Sequence, residues 1–92
     1  MSNPVTDNTA KSRFELVEQG ETAFANYRRQ GDVVIIPHVE APLKLRGKGT
    51  AERLMAGIVA HARAKNFRVT PWCSYAAAWF RRHPENADLL AD

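Results

Sequence analysis

A glycine-rich turn between an apolar run and a helical pattern constrains the fold of this chain more than any other feature. The apolar run covers residues 33–36 (VVII), the turn covers residues 46–50 (RGKGT), and the helical pattern starts near Lys48. A glycine turn between a strand and a helix can hold phosphate, because glycines let the backbone approach the anion and the helix N-terminus adds positive potential. Arg46 and Lys48 contribute two cations. The stretch therefore predicts a strand–turn–helix unit that binds an anion.

Two common phosphate-binding motifs do not match this turn. A Walker loop would need glycine where Pro42 stands and Ser or Thr directly after Lys48, but Gly49 follows the lysine. A dinucleotide fingerprint would need a third glycine where Glu52 stands. A short Gly-x-Gly is also compatible with a helix start that merely needs flexible residues. The turn is thus a candidate anion site whose ligand the motif alone does not name.

The composition is that of one small globular domain. The 92 residues carry a formal net charge of +3, which suits an anionic ligand without indicating nucleic acid. The single cysteine excludes an internal disulfide and favours a reducing compartment, so we expect a cytoplasmic protein. There is no apolar run of the ~20 residues that a membrane span needs, and no signal-peptide pattern. Residues 1–11 are polar and aperiodic and are predicted to be a mobile tail, with a single domain over residues 12–92.

The first half of that domain has the pattern of an antiparallel meander. Strands are predicted over residues 13–18, 22–29 and 33–39, and short turns separate them. Phe14 and Leu16 are two residues apart and are expected on one face of the first strand.

The second half has the pattern of a βαβα unit, so the predicted fold class is α/β (α+β) with a mixed sheet. A helix over residues 48–65 carries an apolar stripe. Its members are Ala51, Leu54, Met55, Ile58 and Ala62. A fourth strand over residues 67–72 should be parallel to the third, because a crossover of this length is right-handed. Ser74 is expected to cap a second helix over residues 75–82.

Three reactive side chains fall near the same edge of the predicted sheet. His38 and Glu40 share a face of the third strand just before the glycine turn. Cys73 ends the fourth strand, and ligands bind outside the carboxyl ends of parallel strands. A helix N-terminus beside Cys73 would favour its thiolate. The structural alternatives are a buried Cys73, a His38 that makes only a structural hydrogen bond, and a solvated Glu40.

Other polar and aromatic residues are explained more simply by structure. His61 lies beside the apolar stripe, and His83 stands at a helix end where a contact with a carbonyl group is expected. A zinc site is not expected, because no ligand pair has finger-like spacing. Arg81 and Arg82 are expected either on a solvated helix face or at a phosphate group. Four aromatic residues are expected in the core and in a groove wall rather than as stacking platforms for nucleic acid. They are Trp72, Tyr75, Trp79 and Phe80.

Four motifs in this order resemble those of one enzyme superfamily. They are residues 38–40 (HVE), 42–49 (PLKLRGKG), 71–75 (PWCSY) and 82–85 (RHPE). The second resembles the acyl-CoA pyrophosphate loop of the GNAT superfamily of N-acetyltransferases, and the four together resemble its minimal single-domain branch. The resemblance implies a mixed sheet whose two central parallel strands splay apart. It also implies that pantetheine enters this splay and that pyrophosphate lies on the glycine loop.

The resemblance further implies which residues bind the coenzyme. The amides of residues 46–50 would bind pyrophosphate, and the main chain of Glu40 and Ala41 would pair with pantetheine. Cys73 would lie near the thioester, with His38 facing it. The implied binding residues are Glu40, Ala41, Arg46, Gly47, Lys48, Gly49, Thr50 and Cys73. The chain departs from the usual family pattern at Val39, Ala41, Lys44 and Thr50.

Two classes of function follow from this resemblance. The first is an N-acetyltransferase that uses acetyl-CoA as co-substrate, without a metal, and acetylates an unidentified amine of a small molecule or a protein. His38 or Glu40 would be the base in direct transfer, whereas Cys73, assisted by His38, would be the nucleophile in a covalent variant. The second class is an acyl-CoA-binding or regulatory module with little turnover. We expect a monomer or weak homodimer, with no nucleic-acid or membrane partner.

Overall fold

The computed structural model describes residues 3–91 and contains, within them, five β-strands and two α-helices. The strands are β1 (Thr6–Asn8), β2 (Arg13–Glu18), β3 (Glu21–Gln30), β4 (Val33–Glu40) and β5 (Arg68–Pro71). The helices are α1 (Thr50–Lys65) and α2 (Ser74–Arg82). Short 3-10 helices accompany them at Thr9–Lys11, Leu43–Leu45 and Pro84–Leu89.

The strands form one sheet in the order β1-β2-β3-β4-β5. β1 to β4 pair antiparallel, and β5 pairs parallel to β4 after the crossover through α1. This arrangement confirms the predicted fold class, an antiparallel meander followed by a βαβα unit. β1 is an addition that the sequence pattern did not indicate.

The N-terminal segment is folded onto the sheet and α1, which differs from the predicted mobile tail. Thr6–Asn8 pairs with β2, and Val5 is only 1% exposed. The side-chain amide of Asn3 donates to the Gly57 carbonyl at 2.8 Å, and Nε2 of His61 lies 2.6 Å from the Val5 carbonyl oxygen. Gly57 permits this approach, because a Cβ atom there would collide with the Val5 side chain. The sequence of this segment is mostly polar, and the packing was not evident from it because backbone groups and one apolar residue make most of these contacts. The first two residues of the predicted tail lie outside the described residues.

The hydrophobic core lies between α1 and one face of the sheet. Phe14 and Leu16 are both buried on this face, as their spacing predicts. Four of the five predicted stripe residues of α1 are fully buried, namely Leu54, Met55, Ile58 and Ala62. Trp79 and Phe80 are buried as expected. Trp72, however, is 63% exposed, because it stands after the last paired residue of β5 and before the start of α2.

Backbone geometry places two helix starts differently from the prediction. α1 begins at Thr50 rather than Lys48, because Gly49 is an N-cap in the left-handed region with φ of 79°. α2 begins at Ser74, and its N-cap is Cys73 rather than Ser74. The backbone of Cys73 is extended, and its carbonyl accepts a hydrogen bond from the Ala77 amide at 2.9 Å.

A β-bulge interrupts the pairing of β4 with β3 near the end of the sheet. Asn26 pairs with His38 and Arg28 pairs with Ile35, so two residues of β4 stand opposite one residue of β3. One of the two is Pro37, which has no N–H to donate to the ladder. The bulge therefore lies where proline can be accommodated within a strand.

β4 and β5 separate just beside this bulge. Their pairing ends with Ile36 and Pro71, and the Ile36 carbonyl accepts from the amides of both Trp72 and Cys73 at 3.0 Å. β4 continues to Glu40 without β5 beside it. This leaves an opening between the end of β4 and the start of α2.

Candidate functional site

The loop between β4 and α1 bends twice through the left-handed region of backbone space. After the 3-10 turn Leu43–Leu45, Gly47 and Gly49 have φ of 77° and 79°. Residues with a Cβ atom rarely adopt such angles, so the two glycines are required by the path of the chain. The predicted glycine turn is therefore present, and it leads directly into the N-terminus of α1.

The backbone amides at this turn divide into two sets. Those of Arg46 and Lys48 donate to carbonyl groups of the 3-10 turn at 3.2 and 3.3 Å, so they are not available to a ligand. Among residues 46–52, five other amides donate no hydrogen bond to any of the described residues. They belong to Gly47, Gly49, Thr50, Ala51 and Glu52. An α-helix leaves its first amides unpaired, and the two bends add further ones at the same end. The amides that remain available to an anion thus lie closer to α1 than the sequence suggested.

A cavity of about 320 Å³ lies against these amides. It is lined by Gly47, Gly49 and Thr50 of the turn, by Ala41 after β4 and by Tyr75 in the first turn of α2. The cavity therefore connects the start of α1 with the opening between β4 and α2. Unpaired amides and the positive end of a 16-residue helix make this a suitable place for an anion.

The two cations of the turn lie at the surface beside the cavity. Nε of Arg46 donates to the Ala41 carbonyl at 3.3 Å, and Nζ of Lys48 donates to the Gln19 side-chain oxygen at 3.4 Å. Neither side chain has a carboxylate partner among the described residues. Both positive charges therefore add to the field at the anion site.

Glu18 at the end of β2 holds the start of α1, a contact that sequence reasoning missed. Its carboxylate accepts hydrogen bonds from the Thr50 hydroxyl at 2.6 Å and from Nε of Arg53 at 2.7 Å. These hydrogen bonds, from Arg53 first and Thr50 second, lower the pKa of Glu18 to about 2. Glu18 is 32 residues from Thr50 and 35 from Arg53, so no local pattern could have connected them.

His38 and Glu40 form a pair on the open face of the sheet. Nε2 of His38 lies 2.9 Å from Oε1 of Glu40, and the two side chains are 52% and 50% exposed. The two-residue spacing predicted this shared face. Because a carboxylate only accepts hydrogen bonds, a neutral His38 in this pair carries its proton on Nε2. Its Nδ1 atom is then free to take up a proton.

Cys73 stands where β5 turns into α2. Its side chain is partly buried against the core. Within residues 3–91 no hydrogen bond joins its sulfur to His38, whose partner is Glu40. The structure thus brings His38 and Glu40 together, and it places Cys73 at the opening between the strands without a hydrogen bond to that pair.

The register of the sheet determines which backbone groups of β4 point into the opening. The Tyr27 amide donates to a carbonyl just before β2, so the backbone groups of Tyr27 face β2. Because the direction of these groups alternates along a strand, the backbone groups of Phe24 face β4. Glu40 stands opposite Phe24, and its backbone therefore faces β3. The backbone of Val39 faces the other way, toward the opening, and Ala41 lines the cavity. The implied main-chain contacts are thus better matched by Val39 and Ala41 than by Glu40.

A second group of contacts joins the first turn of α1 to the end of α2. Oε2 of Glu52 lies 3.0 Å from Nε2 of His83, and Oε1 lies 3.5 Å from Nη2 of Arg82. Nδ1 of His83 lies 2.8 Å from the Trp79 carbonyl, which is the kind of contact expected for it. Burial, followed by the charge of Glu52, raises the pKa of Tyr75, so its hydroxyl stays protonated in the cavity wall at neutral pH.

Across residues 3–91 no group of three or more His, Cys, Asp or Glu side chains is placed to hold a metal ion. None of the helices in this range has the length and apolar character needed to cross a membrane.

Comparison with known proteins identifies a family model and a similar fold. The model described as GCN5-related N-acetyl-transferase matches residues 13–89. No curated protein matches the chain. An NMR structure of a GCN5-like protein from Staphylococcus aureus is similar, with a TM-score of 0.67 and 22% identity over 99% of this chain and 91% of that chain. At this identity the structural similarity supports the fold, whereas the family match bears on activity.

Proposed function

The chain belongs to the GCN5-related N-acetyl-transferase family, and on that premise we propose that it transfers an acetyl group from acetyl-CoA to an amine. The observation that carries the proposal is the set of five unpaired amides beside a cavity of about 320 Å³. This cavity leads from the positive end of α1 to the opening between β4 and α2. A long ligand with phosphate at one end and a reactive group at the other suits this path.

The pyrophosphate of CoA is assigned to the start of α1. The amides of Gly47, Gly49 and Thr50 donate to its oxygens, and the charges of Arg46 and Lys48 add to the helix dipole. Thr50 contributes through its backbone only, because its hydroxyl already donates to Glu18. This arrangement supports the role predicted for the turn while removing the amides of Arg46 and Lys48 from it.

The pantetheine arm is assigned to the opening beside β4. Val39 presents backbone N–H and C=O groups there, and Ala41 continues the path from the cavity. An amide-containing arm that lies along these groups would replace the missing strand partner of β4, as an added strand does. The thioester then lies near the bulge, beside His38, which is the first residue of the polar face that it shares with Glu40.

His38 is assigned as the general base of direct transfer. Its Nε2–H donates to Glu40 at 2.9 Å, which leaves Nδ1 to accept the proton of the amine. The amine nitrogen attacks the thioester carbonyl, a C–N bond forms, the C–S bond breaks, and CoA leaves as the thiolate. Glu40 orients the imidazole through this hydrogen bond.

The covalent alternative assigns the first attack to Cys73. Its place at the opening, at the N-terminus of α2, favours contact with the thioester. Direct transfer is the preferred route, because His38 is hydrogen-bonded to Glu40 and not to Cys73. The two routes differ in whether an acetyl group is ever attached to the protein.

A second candidate function is an acyl-CoA-binding module with little turnover. The observation that favours it is the exposure of the His38 and Glu40 side chains, about half of each, because an acceptor site with so little enclosure orients an amine poorly. Such a module would bind CoA on the same amides and leave the thioester intact.

One pair of assays tests the proposal and separates the two candidates. Calorimetric titration with CoA is expected to show binding, and incubation with acetyl-CoA and a panel of primary amines is expected to release CoA. Binding without amine-dependent release would favour the binding module. No binding of CoA would remove both candidates.

A further inference from the structure

The carboxylate of Glu18 gathers three hydrogen bonds at the start of α1. It accepts from the Thr50 hydroxyl at 2.6 Å and from Arg53 at 2.7 Å (Nε) and 2.8 Å (Nη2). The two contacts with Arg53 are the bidentate arrangement that fits a guanidinium to a carboxylate. Glu18 comes from the end of β2, so the rigid sheet is one partner in this contact and the helix is the other.

The same contacts reach the backbone on both sides of Gly49. Nη2 of Arg53 also donates to the Lys48 carbonyl at 2.9 Å. Thr50 is only 1% exposed, and its side chain is fixed by Glu18. The residue before Gly49 and the residue after it are therefore both connected to Glu18, through Arg53 and Thr50 respectively.

Such a connection matters because α1 lacks an ordinary cap. Gly49 is the N-cap and has no side chain to bond the first amides. A glycine turn without a cap samples many conformations, and an anion must then order it on binding. Glu18 holds the turn on the side away from the cavity, and the amides of the turn stay unpaired on the cavity side.

We infer that Glu18 is a positioning residue that preorganises the pyrophosphate turn, acting through Arg53 and Thr50. The inference rests on the proposed function, in which this turn binds CoA. Glu18 is not among the residues that line the cavity, and its charge opposes an anionic ligand rather than attracting one. If Glu18 positions the turn, removing its charge should weaken CoA binding. If only its charge mattered, the same substitution should strengthen CoA binding.

The test compares Glu18→Gln with Glu15→Gln. Glu15 lies on the same strand and pairs with Arg13 at 2.6 Å, so its substitution also removes one carboxylate and one ion pair, but away from the turn. Calorimetry with CoA, steady-state kinetics with acetyl-CoA, and hydrogen exchange at the hydrogen-bonded amides of positions 48 and 53 are measured for both variants. Arg53→Lys, which keeps the charge and loses the bidentate contact, is the second variant.

Positioning predicts that Glu18→Gln and Arg53→Lys bind CoA roughly five- to tenfold more weakly, the cost of ordering a turn that is no longer held. The KM for acetyl-CoA rises by a similar factor with kcat unchanged, and exchange at the amides of positions 48 and 53 becomes faster. Glu15→Gln leaves the CoA affinity, the KM and this exchange unchanged. Equal or tighter CoA binding by folded Glu18→Gln would overturn the inference.

The failure of the proposed function has a different signature. If the unaltered protein binds no CoA, the proposed function fails, but hydrogen exchange still reports on the turn without any ligand. Unchanged exchange at the amides of positions 48 and 53 in both Glu18→Gln and Arg53→Lys would then overturn the positioning role as well.

Discussion

The two α-helices within residues 3–91 both begin at the proposed site, and they begin in different ways. α1 follows a turn in which Gly47 and Gly49 have positive φ, and its first amides face a cavity. α2 follows β5 almost directly, with Cys73 as an extended N-cap whose amide is bonded to the Ile36 carbonyl. Neither helix has a side-chain cap.

The difference shows what a helix terminus needs in order to bind a large anion. A helix dipole is present in both cases, but only the glycine turn curves the preceding chain so that several amides converge. Where a strand leads almost directly into a helix, few residues stand at the junction. In α2 the residue at the N-cap is Cys73, whose side chain is a thiol. We therefore assign the polyanionic end of CoA to α1 and the thioester end to the neighbourhood of α2.

The largest expected effect tests whether Cys73, at the start of α2, takes part in the reaction or only lines the site. We expect His38→Gln to lower kcat about a hundredfold with unchanged CoA affinity, because the base is lost while the phosphate site is intact. Cys73→Ala is expected to keep kcat. His61→Gln is the matched control, because that histidine contacts the Val5 carbonyl instead of the site. An acetyl group on Cys73 in the intact mass, together with loss of turnover in Cys73→Ala, would show that α2 carries the nucleophile.

The next effect tests the glycine turn of α1. Gly49→Val is expected to weaken CoA binding about tenfold, which corresponds to ~1.4 kcal/mol. The side chain would meet a positive φ, and its Cβ would lie 3.0 Å from Nη1 of Arg53. Gly31→Val is the control, because Gly31 also has positive φ but lies in the β3–β4 turn with open space around it. Equal CoA affinity of the two folded variants would end the assignment of α1 as the phosphate site.

A smaller effect concerns the charges around the α1 terminus. CoA affinity is expected to fall severalfold as salt rises, because Arg46 and Lys48 act near the surface.

Dephospho-CoA is expected to bind somewhat less tightly than CoA if Arg82 exchanges its weak contact with Glu52, 3.5 Å long, for the 3′-phosphate. Titrations of both ligands into the protein and into Arg82→Gln measure this. Equal affinities for CoA and dephospho-CoA would leave Arg82 as a helix-surface residue paired with Glu52.

The smallest effect concerns the pH dependence of the contact that holds α1. The pKa of Glu18 is lowered from 4.5 to about 2 in the folded protein, so its contribution to stability is present above pH 4.5 and is lost as pH falls toward 2. Thermal unfolding of the protein and of Glu18→Gln is compared across this range. The difference between them is expected to shrink below pH 4.5, and a constant difference would argue against the ionised contact.

Much of the fold is predictable from the chain because it depends on local patterns. The strand spacing of Phe14 and Leu16, the apolar stripe of α1 and the shared face of His38 and Glu40 all follow from the periods of strands and helices. The N-terminal strand was missed, since its packing depends on Val5 and on the absence of a side chain at Gly57. The exposure of Trp72 was missed, since hydrophobicity does not tell where strand pairing ends.

The sequence by itself determined that a glycine turn precedes a helix and that a histidine and a glutamate precede that turn. Only the tertiary structure decided which amides remain unpaired, which backbone groups of β4 face the opening, and that His38 is hydrogen-bonded to Glu40 and not to Cys73. It also decided that Glu18 meets Thr50 and Arg53 across more than 30 residues of chain. The physical reason is that local pattern reports the period of each element, whereas hydrogen-bond partners depend on how the elements are brought together in space.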